Sequence, residues 1–444
     1  MTFPEKFTIQ WIKDHYHTGE LTPHALIEEI IKRSKQTLDK NIWIIPPSME
    51  FIQPFLDALP EERGPLWGIP FTVKDNIDMA GIVTTAACPA FAYTAKEDAA
   101  VIEKLLQAGA IPIGKANMEQ LATGQSGTRS PYGEVHNAYQ PELITGGSSS
   151  GSAVSVAVGL APFALGSDTG GSGRGPASFN GLVGYKPPLG SWSGRGVVPC
   201  SLSLDTVSVL TNNLADAILV NDVVKGVDPA FLYTRPFDKI APKLPKKILL
   251  PTKKPNFFGP WADVYERKWM VAVARIKKLG IPIETVDEGI FEEASHIYIN
   301  RTIGAERWSH FKDFTNENPG ALLPVVEEVF RSAEGPDKTA ANVFQDLHDL
   351  KVLKKKTEAV LEGAVFVWPT VGGTYTREQV RQDPIKKNNQ IGAYVYFCNL
   401  LDLVGVSLPE NPDDKEYPFG ITMYALAHSE DIMCYAAGKF MART

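Results

Sequence analysis

Residues 145–186 read TGGSSSGSAVSVAVGLAPFALGSDTGGSGRGPASFNGLVGYK and contain two clusters of glycine and serine, at 146–152 and 167–173. A small-residue apolar segment ending at Gly159 and an apolar run at 162–166 lie between them. This order predicts loop, helix, strand, loop, which brings the two clusters back to one place. Glycine lets a backbone lie close to a ligand, and adjacent N–H groups in such loops bind anions. The stretch therefore predicts acyl transfer, in which a serine nucleophile lies beside an oxyanion site.

Composition narrows the class of protein. The chain has 444 residues, of which 44% are hydrophobic and 21% charged, and this is typical of a globular protein with a sizeable core. The net charge of −7 argues against nucleic acid as a partner. The sequence contains neither a secretory leader nor an apolar run long enough to span a membrane, so we expect a cytoplasmic protein without membrane contact.

The cysteines and histidines do not form a recognisable metal or redox motif. The four cysteines are scattered and no CxxC pair occurs, so we expect no disulfide, no metal site and no cofactor. Seven of the eight histidines lie in helical patterns, and His136 lies in a loop. The sequence therefore does not point to a histidine base.

A lysine follows the first predicted strand. Residues 66–73 read LWGIPFTV, which is typical of a buried strand, and Lys74 comes directly after it. In open α/β sheets the chemistry collects beyond the carboxyl ends of the strands. Lys74 is therefore a candidate to meet the two serine clusters.

Helical and strand patterns alternate along the rest of the chain. Thr22 and Pro23 are expected to open the first amphipathic helix. The later elements are predicted as a helix capped by Asp98 that runs to 108 and stops at Gly109, a strand at 110–113, a helix at 263–279, Gly280, a strand at 281–284, helices across 292–362, a strand at 364–368, a helix at 391–404, a strand at 419–426 and a terminal helix. This alternation predicts one α/β domain with a largely parallel sheet.

Two other interpretations of the serine clusters are available. Ser149 or Ser150 could cap the following helix. Residues 147–151 also fit G-x-S-x-G, which would make Ser149 the nucleophile of an α/β-hydrolase elbow. That elbow must follow a buried strand, whereas residues 139–145 are polar and interrupted by proline. We therefore favour chemistry that uses both clusters.

The combined pattern resembles the amidase signature family. It consists of Lys74, GGSS at 146–149 and SDTGGS at 167–172 with Arg174 and Pro176. The resemblance covers most of the chain. It implies a large, mixed, mostly parallel twisted sheet with helices on both faces, in a single amidase domain that spans 1–444.

The resemblance also implies the roles of the site residues. Ser172 would be the nucleophile, Ser148 would follow a cis peptide bond and relay the proton, and Lys74 would be the final base. A lysine can act as a base only when it is neutral, so burial must lower its pKa from about 10.4 toward neutrality.

The second cluster would supply the oxyanion site. The resemblance places this site at the backbone N–H groups around Thr169, Gly170, Gly171 and Ser172. Asp168 and Arg174 are expected to pair with each other and brace the loop.

A narrower resemblance is to allophanate hydrolases, which cleave an amide and release ammonia during urea use. It is carried by residues 118–133, by 196–199 followed by Ser203-Leu-Asp205, by 305–307 and by 399–402. It implies a small-molecule substrate, either allophanate or a related small carboxylated urea. It also implies an enzyme without the C-terminal accessory domain found in many allophanate hydrolases. The sequence leaves a homodimer open.

The implied substrate-binding residues are Arg307, Tyr298 and Gly124. A tyrosine that helps to hold the substrate carboxylate should stand eight residues before Arg307, where this chain has Ile299, and Tyr298 is one position away. The first alternative is the same chemistry on another small amide. The alternative of another class is a catalytically silent or amidotransferase-type subunit that acts by binding a partner.

Overall fold

The computed structural model describes residues 2–442 and forms thirteen strands within them. The strands are β1 (Trp43–Ile45), β2 (Pro70–Lys74), β3 (Val83–Thr84), β4 (Tyr93–Thr94), β5 (Ile111–Ala116), β6 (Phe163–Ser167), β7 (Val183–Lys186), β8 (Val207–Thr211), β9 (Lys247–Pro251), β10 (Ile283–Val286), β11 (Ala364–Pro369), β12 (Leu403–Pro409) and β13 (Gly420–Leu426).

Sixteen α-helices occur in the same residues. They are α1 (Ile9–Thr18), α2 (Pro23–Lys35), α3 (Met49–Asp57), α4 (Ala100–Gln107), α5 (Ser150–Ala157), α6 (Arg174–Phe179), α7 (Leu214–Val224), α8 (Ala262–Lys277), α9 (Gly289–Asn300), α10 (Gly304–Glu317), α11 (Pro324–Arg331), α12 (Ala340–Leu361), α13 (Arg377–Gln382), α14 (Lys386–Gly392), α15 (Phe397–Leu400) and α16 (Glu430–Met441).

Eleven strands form one sheet in the order β1-β5-β2-β6-β8-β7-β12-β13-β11-β9-β10. The large mixed sheet expected from the sequence is confirmed. Parallel pairing, which we expected to dominate, is confined to two blocks, β5-β2-β6 and β11-β9-β10. The pairings from β6 to β11 through the middle of the sheet are antiparallel. One reason is that residues 410–419 join β12 to β13 directly, whereas a parallel return needs a longer crossover.

Both faces of the sheet are buried under helices and loops. In β11, Val365 and Val367 belong to one hydrophobic cluster, whereas Phe366 and Trp368 belong to another. Successive side chains of a strand point to opposite faces. The sheet therefore separates two cores, and the expected cover on both faces is confirmed.

Several predicted elements are confirmed with small shifts in their ends, and two predictions are wrong. Thr22 caps α2 by accepting from the N–H of Ala25. Asp98 does not cap α4, because its Oδ1 accepts from the N–H of Ala80 at 2.7 Å and the helix begins at Ala100.

The predicted helix at 391–404 is also wrong. The chain there forms the end of α14, then α15, and then enters β12. Every residue of β12 is buried, so the strand has no polar alternation. A continuous apolar run of this kind cannot be distinguished from a buried helix by its periodicity.

The sheet brings two functional segments together. Strands β2 and β6 are parallel neighbours, and they end at Lys74 and Ser167. Parallel strands present their carboxyl ends at the same edge. The predicted order of loop, helix, strand and loop is confirmed by α5 and β6, so both serine clusters lie at this edge.

Across residues 2–442, no helix has the length and apolar character needed to cross a membrane. The four cysteines are buried free thiols. Within the same range, no three His, Cys, Asp or Glu side chains are grouped so as to hold a metal ion.

Candidate active site

Lys74 lies at the end of β2 and is fully buried. Its Nζ lies 2.7 Å from Ser148 Oγ, 3.0 Å from Ser149 Oγ and 2.8 Å from Ser167 Oγ. No carboxylate within residues 2–442 forms an ion pair with it. Burial lowers the pKa of Lys74 to about 7, although Cys200, Asp205 and other acidic groups nearby favour the charged form.

The three serine hydroxyls around the amine are not equivalent. Ser149 donates its proton to the carbonyl oxygen of Ser167 at 3.1 Å and is therefore an acceptor for Lys74. A neutral amine has two N–H bonds and one lone pair. Ser148 or Ser167 can therefore direct a hydroxyl proton at that lone pair. Of these two, Ser148 is the serine that directly follows Gly146 and Gly147 in the first cluster.

The peptide bond between Gly147 and Ser148 is cis, as the sequence resemblance implied. The carbonyl oxygen of Ser148 accepts from the N–H of Glu119 at 3.1 Å, and the N–H of Ser149 donates to the carbonyl oxygen of Ser172 at 3.2 Å. Ser149 precedes α5, but its side chain does not cap the helix. The capping interpretation is therefore wrong, and the first cluster is tied to the second one.

Asp168 and Arg174 form the expected brace. The two side chains are fully buried and pair at 2.9 Å. Asp168 also accepts from the N–H groups of Gly171, Gly173 and Arg174 at 2.8–3.2 Å. Burial opposes the charge of Asp168, but Arg174 lowers the pKa of this carboxyl to about 2. One carboxylate therefore fixes the whole turn that carries Ser172.

We expect Asp168→Asn to lower the free energy of unfolding by about 3–5 kcal/mol, because it leaves the buried Arg174 charge without its partner. The exposed pair Arg267–Asp263 on α8 offers a control. Asp263→Asn should leave stability almost unchanged, because exposed ion pairs contribute little. Chemical denaturation of the three proteins measures this, and equal stability of the two variants would contradict the brace.

Fewer backbone N–H groups around the second cluster are free to bind an oxyanion than the resemblance implied. Within residues 2–442, the N–H groups of Thr169, Gly170 and Ser172 have no acceptor. The N–H of Gly171 is donated to Asp168 Oδ1. We therefore remove Gly171 from the expected set, since its hydrogen is already used to hold the turn.

Ser172 lines a cleft and is 4% exposed. In the part of the chain that the structure describes, its hydroxyl makes no hydrogen bond, and in particular none to Ser148. Hydrogen bonds of catalytic groups are often long before substrate binds. The absence of this bond therefore does not argue against Ser172 as a candidate nucleophile.

The cleft has about 910 Å³ of empty space, its open mouth included, and its other wall comes from α9 and α10. Arg307 is half-buried there, and its Nε donates to the carbonyl oxygen of Cys200 at 3.4 Å. Tyr298 lines the cleft beside Arg307 and contributes to raising the pKa of its guanidinium, and the Tyr298 ring stacks on Tyr396 at 4.6 Å. Ile299 also lines the cleft. Tyr298, although one position early, is therefore the tyrosine that lies beside Arg307.

Gly170 and Gly124 complete the walls. A Cβ on Gly170 would lie 2.8 Å from the hydroxyl oxygen of Tyr298, so this position requires glycine. Gly124 lies at the rim of the same cleft. The structure thus brings Gly124, Ser172, Tyr298 and Arg307 to one cleft. Lys74 and Ser148 are fully buried and do not line it, and the first cluster is joined to Ser172 through the Ser149 N–H.

Sequence reasoning did not single out Ser167, Asn76 and Asp205. Ser167 stands at the head of the second cluster and contacts Lys74, and Asn76 donates to Ser167 at 3.3 Å. Asp205 contacts Thr169. The sequence motif at 203–205 includes Asp205, but the motif does not indicate that Asp205 contacts Thr169.

Comparison with known proteins gives the same family. The Amidase family model matches residues 25–434. Urea amidolyase of Saccharomyces cerevisiae is 34% identical over 450 residues, which cover 97% of this chain and 24% of that protein. This chain therefore spans about a quarter of the length of that relative.

A solved structure and a second relative extend the comparison. The structure of Kluyveromyces lactis allophanate hydrolase matches with a TM-score of 0.89 at 33% identity, over 98% of this chain and 72% of that chain. Urea amidolyase of Lachancea kluyveri is 37% identical over 448 residues, which cover 97% of this chain and 24% of that protein. The chain belongs to the Amidase family.

Proposed function

We propose that this enzyme hydrolyses the amide of allophanate, or of a closely related small carboxylated urea, and releases ammonia. The observation that carries the proposal is the layout of the cleft. Ser172 and Arg307 line the same cleft, and Lys74 forms a hydrogen bond with Ser148 in the neighbouring cluster. A short substrate with an amide and a carboxylate can therefore meet a nucleophile and a guanidinium in one cleft.

In the proposed mechanism, Ser172 Oγ attacks the amide carbon while its proton passes through Ser148 to the neutral Lys74. The oxyanion that forms faces the free N–H groups of Thr169, Gly170 and Ser172. Collapse of this intermediate breaks the C–N bond, and the proton returns through Ser148 to the departing ammonia. Water then attacks the acyl-enzyme with the same base and restores Ser172.

Arg307 is available to a substrate carboxylate. A surface arginine at this position could instead pair with Glu306 or Asp313, but neither ion pair forms within residues 2–442. Glu306 accepts from the N–H and the hydroxyl of Ser203 at 2.8 Å. Within residues 2–442, Arg307 forms no ion pair. A guanidinium matches a carboxylate with two parallel hydrogen bonds, and Tyr298 supports it from the side.

We expect Arg307→Ala to lower kcat/KM for carboxylated amides roughly ten- to a hundredfold, since a charge-assisted hydrogen bond contributes about 1.5–3 kcal/mol. Neutral amides should be spared. Lysine at this position should restore only part of the loss, because it lacks the planar fork. Steady-state kinetics on allophanate and on a neutral amide of similar size measure the difference.

Arg301→Ala is the matched control, because Arg301 lines the same cleft but is already paired with Glu293, Asp346 and Asp349. It should leave the preference for carboxylated amides unchanged. If Arg307→Ala affects neutral and carboxylated amides equally, the carboxylate site is wrong and allophanate is no longer the favoured substrate.

The proposed function as a whole is tested by ammonia release from allophanate, biuret and malonamate. Allophanate should be turned over fastest. Faster turnover of an uncharged amide would replace allophanate by another small amide. Failure of the protein to react with a fluorophosphonate probe would instead favour a silent, partner-binding role, which the presence of Lys74, Ser148 and Ser172 argues against.

A further inference from the structure

Asp205 is a carboxylate that contacts both the loop of the second serine cluster and the turn at 200–205, and the mechanism above does not use it. Its Oδ1 accepts from the hydroxyl of Thr169 and from the N–H of Ser201 at 3.1 Å. Its Oδ2 accepts from the N–H of Cys200 at 2.7 Å and from the same Ser201 N–H at 3.1 Å. One side chain therefore holds both the strand end that leads to Ser172 and the turn at 200–205.

The turn at 200–205 also reaches the other end of the cleft. The carbonyl oxygen of Cys200 accepts from Arg307 Nε at 3.4 Å. The Cys200 residue that Asp205 fixes through its N–H is thus the residue that orients Arg307 through its carbonyl. A path of three contacts joins Thr169 to Arg307 through Asp205.

Other contacts keep the turn in place without joining the two ends in this way. Asn399 Nδ2 donates to the carbonyl oxygens of Asp168 and Leu204 at 2.6 and 2.8 Å. Ser203 is bonded to Glu306 at the exposed side. Loss of Asp205 should therefore leave the turn anchored while it releases Thr169 and Cys200.

We propose that Asp205 is a positioning residue that couples the oxyanion site to the carboxylate-binding arginine. This inference rests on the proposed function. Asp205 orients the Thr169 backbone by accepting a hydrogen bond from the Thr169 hydroxyl. It orients the Arg307 guanidinium indirectly, because it holds Cys200, whose carbonyl oxygen accepts from Arg307. It therefore governs both the rate of acyl transfer and the selectivity for a carboxylated substrate.

A carboxylate suits this position because the groups that form hydrogen bonds with Asp205 within residues 2–442 are donors. Three donors, one hydroxyl and two N–H groups, point at its two oxygens. Asparagine offers one acceptor oxygen and turns an NH₂ group toward the remaining donors. Asp205→Asn keeps the size of the side chain and removes the match.

The test compares Asp205→Asn with Thr169→Val and with a matched control. Asp216 is a carboxylate outside the cleft that accepts from the N–H of Ile9 at 3.0 Å and from Asn213 at 2.9 Å. Burial raises the pKa of Asp216 to about 6, as it does that of Asp205. Asp216→Asn therefore reports what loss of a similar carboxylate does to the fold alone.

We expect Asp205→Asn to lower kcat on neutral and carboxylated amides alike by about tenfold or more, because an oxyanion donor is displaced. It should also lower the kcat/KM ratio of carboxylated to neutral amides by about tenfold. Thr169→Val should lower kcat in the same way but leave the substrate ratio unchanged, because it removes only the contact between Asp205 and the loop of the oxyanion site. Asp216→Asn should change neither quantity.

Two results would overturn the coupling. The first is an unchanged substrate ratio in Asp205→Asn, which would mean that Arg307 is oriented without it. The second is a wild-type kcat in Thr169→Val, which would mean that the Asp205–Thr169 contact does not position the oxyanion site. This result can be obtained even if Asp205→Asn does not fold. Failure of the proposed function itself is distinct, because it shows in the wild-type enzyme as absence of turnover.

Discussion

Replacement of Ser172 by alanine is expected to abolish amide hydrolysis, with a loss on the order of 10⁶-fold in kcat, and to leave the fold intact. Ser172 lies on the turn fixed by Asp168, faces the cleft, and has free backbone N–H groups beside it. Its hydroxyl makes no hydrogen bond within residues 2–442, so its removal leaves no buried partner unsatisfied. Loss of the nucleophile removes the acyl-enzyme and with it the whole reaction.

Ser201→Ala is the matched control, because Ser201 lines the same cleft and uses its backbone, not its side chain, to contact Asp205. A fluorophosphonate probe should label the wild type and Ser201→Ala but not Ser172→Ala. Near wild-type turnover of Ser172→Ala would refute the assignment. Ser149 would then be tested as the nucleophile, although its hydroxyl is already bonded to the Ser167 carbonyl.

The sequence was most informative where function depends on local patterns. The glycine and serine clusters, Lys74 after a buried strand, and the Asp168–Arg174 pair lie within short, distinctive segments. The structure brings them together through the parallel pairing of β2 and β6. An apolar strand followed by polar residues is visible in a sequence, and so this edge of the sheet could be predicted.

The rest depended on contacts between distant segments. The contact of Asp205 with Thr169 joins two loops, and no periodicity reports it. The use of the Gly171 N–H by Asp168 likewise depends on the exact turn. Tyr298 and Arg307 line one cleft from two helices, since α9 ends at Asn300 and α10 starts at Gly304, and a residue count along one continuous helix cannot give that geometry.

Activity is expected to depend strongly on pH and on the residue at position 74, because the proposed mechanism requires Lys74 to be neutral. Burial lowers its pKa to about 7, so the fraction of active, neutral amine rises with pH. We expect kcat/KM to increase as pH rises through about 7 and to level off above it. Lys74→Ala should be almost inactive, and Lys74→Arg should not recover activity, since arginine keeps its proton.

The same pKa shift predicts the pH dependence of stability, which can be measured without a substrate. Between pH about 7 and 10.5, the unfolded chain holds a proton on Lys74 that the folded protein has released. The unfolded state binds more protons in this window, so the free energy of unfolding gains a contribution that rises with pH, by roughly 5 kcal/mol in all. Lys74→Met should remove this slope and abolish activity together. If the activity limb lies above pH 9, or if Lys74→Met keeps the wild-type slope of stability against pH, Lys74 is charged in the resting enzyme and cannot be the base.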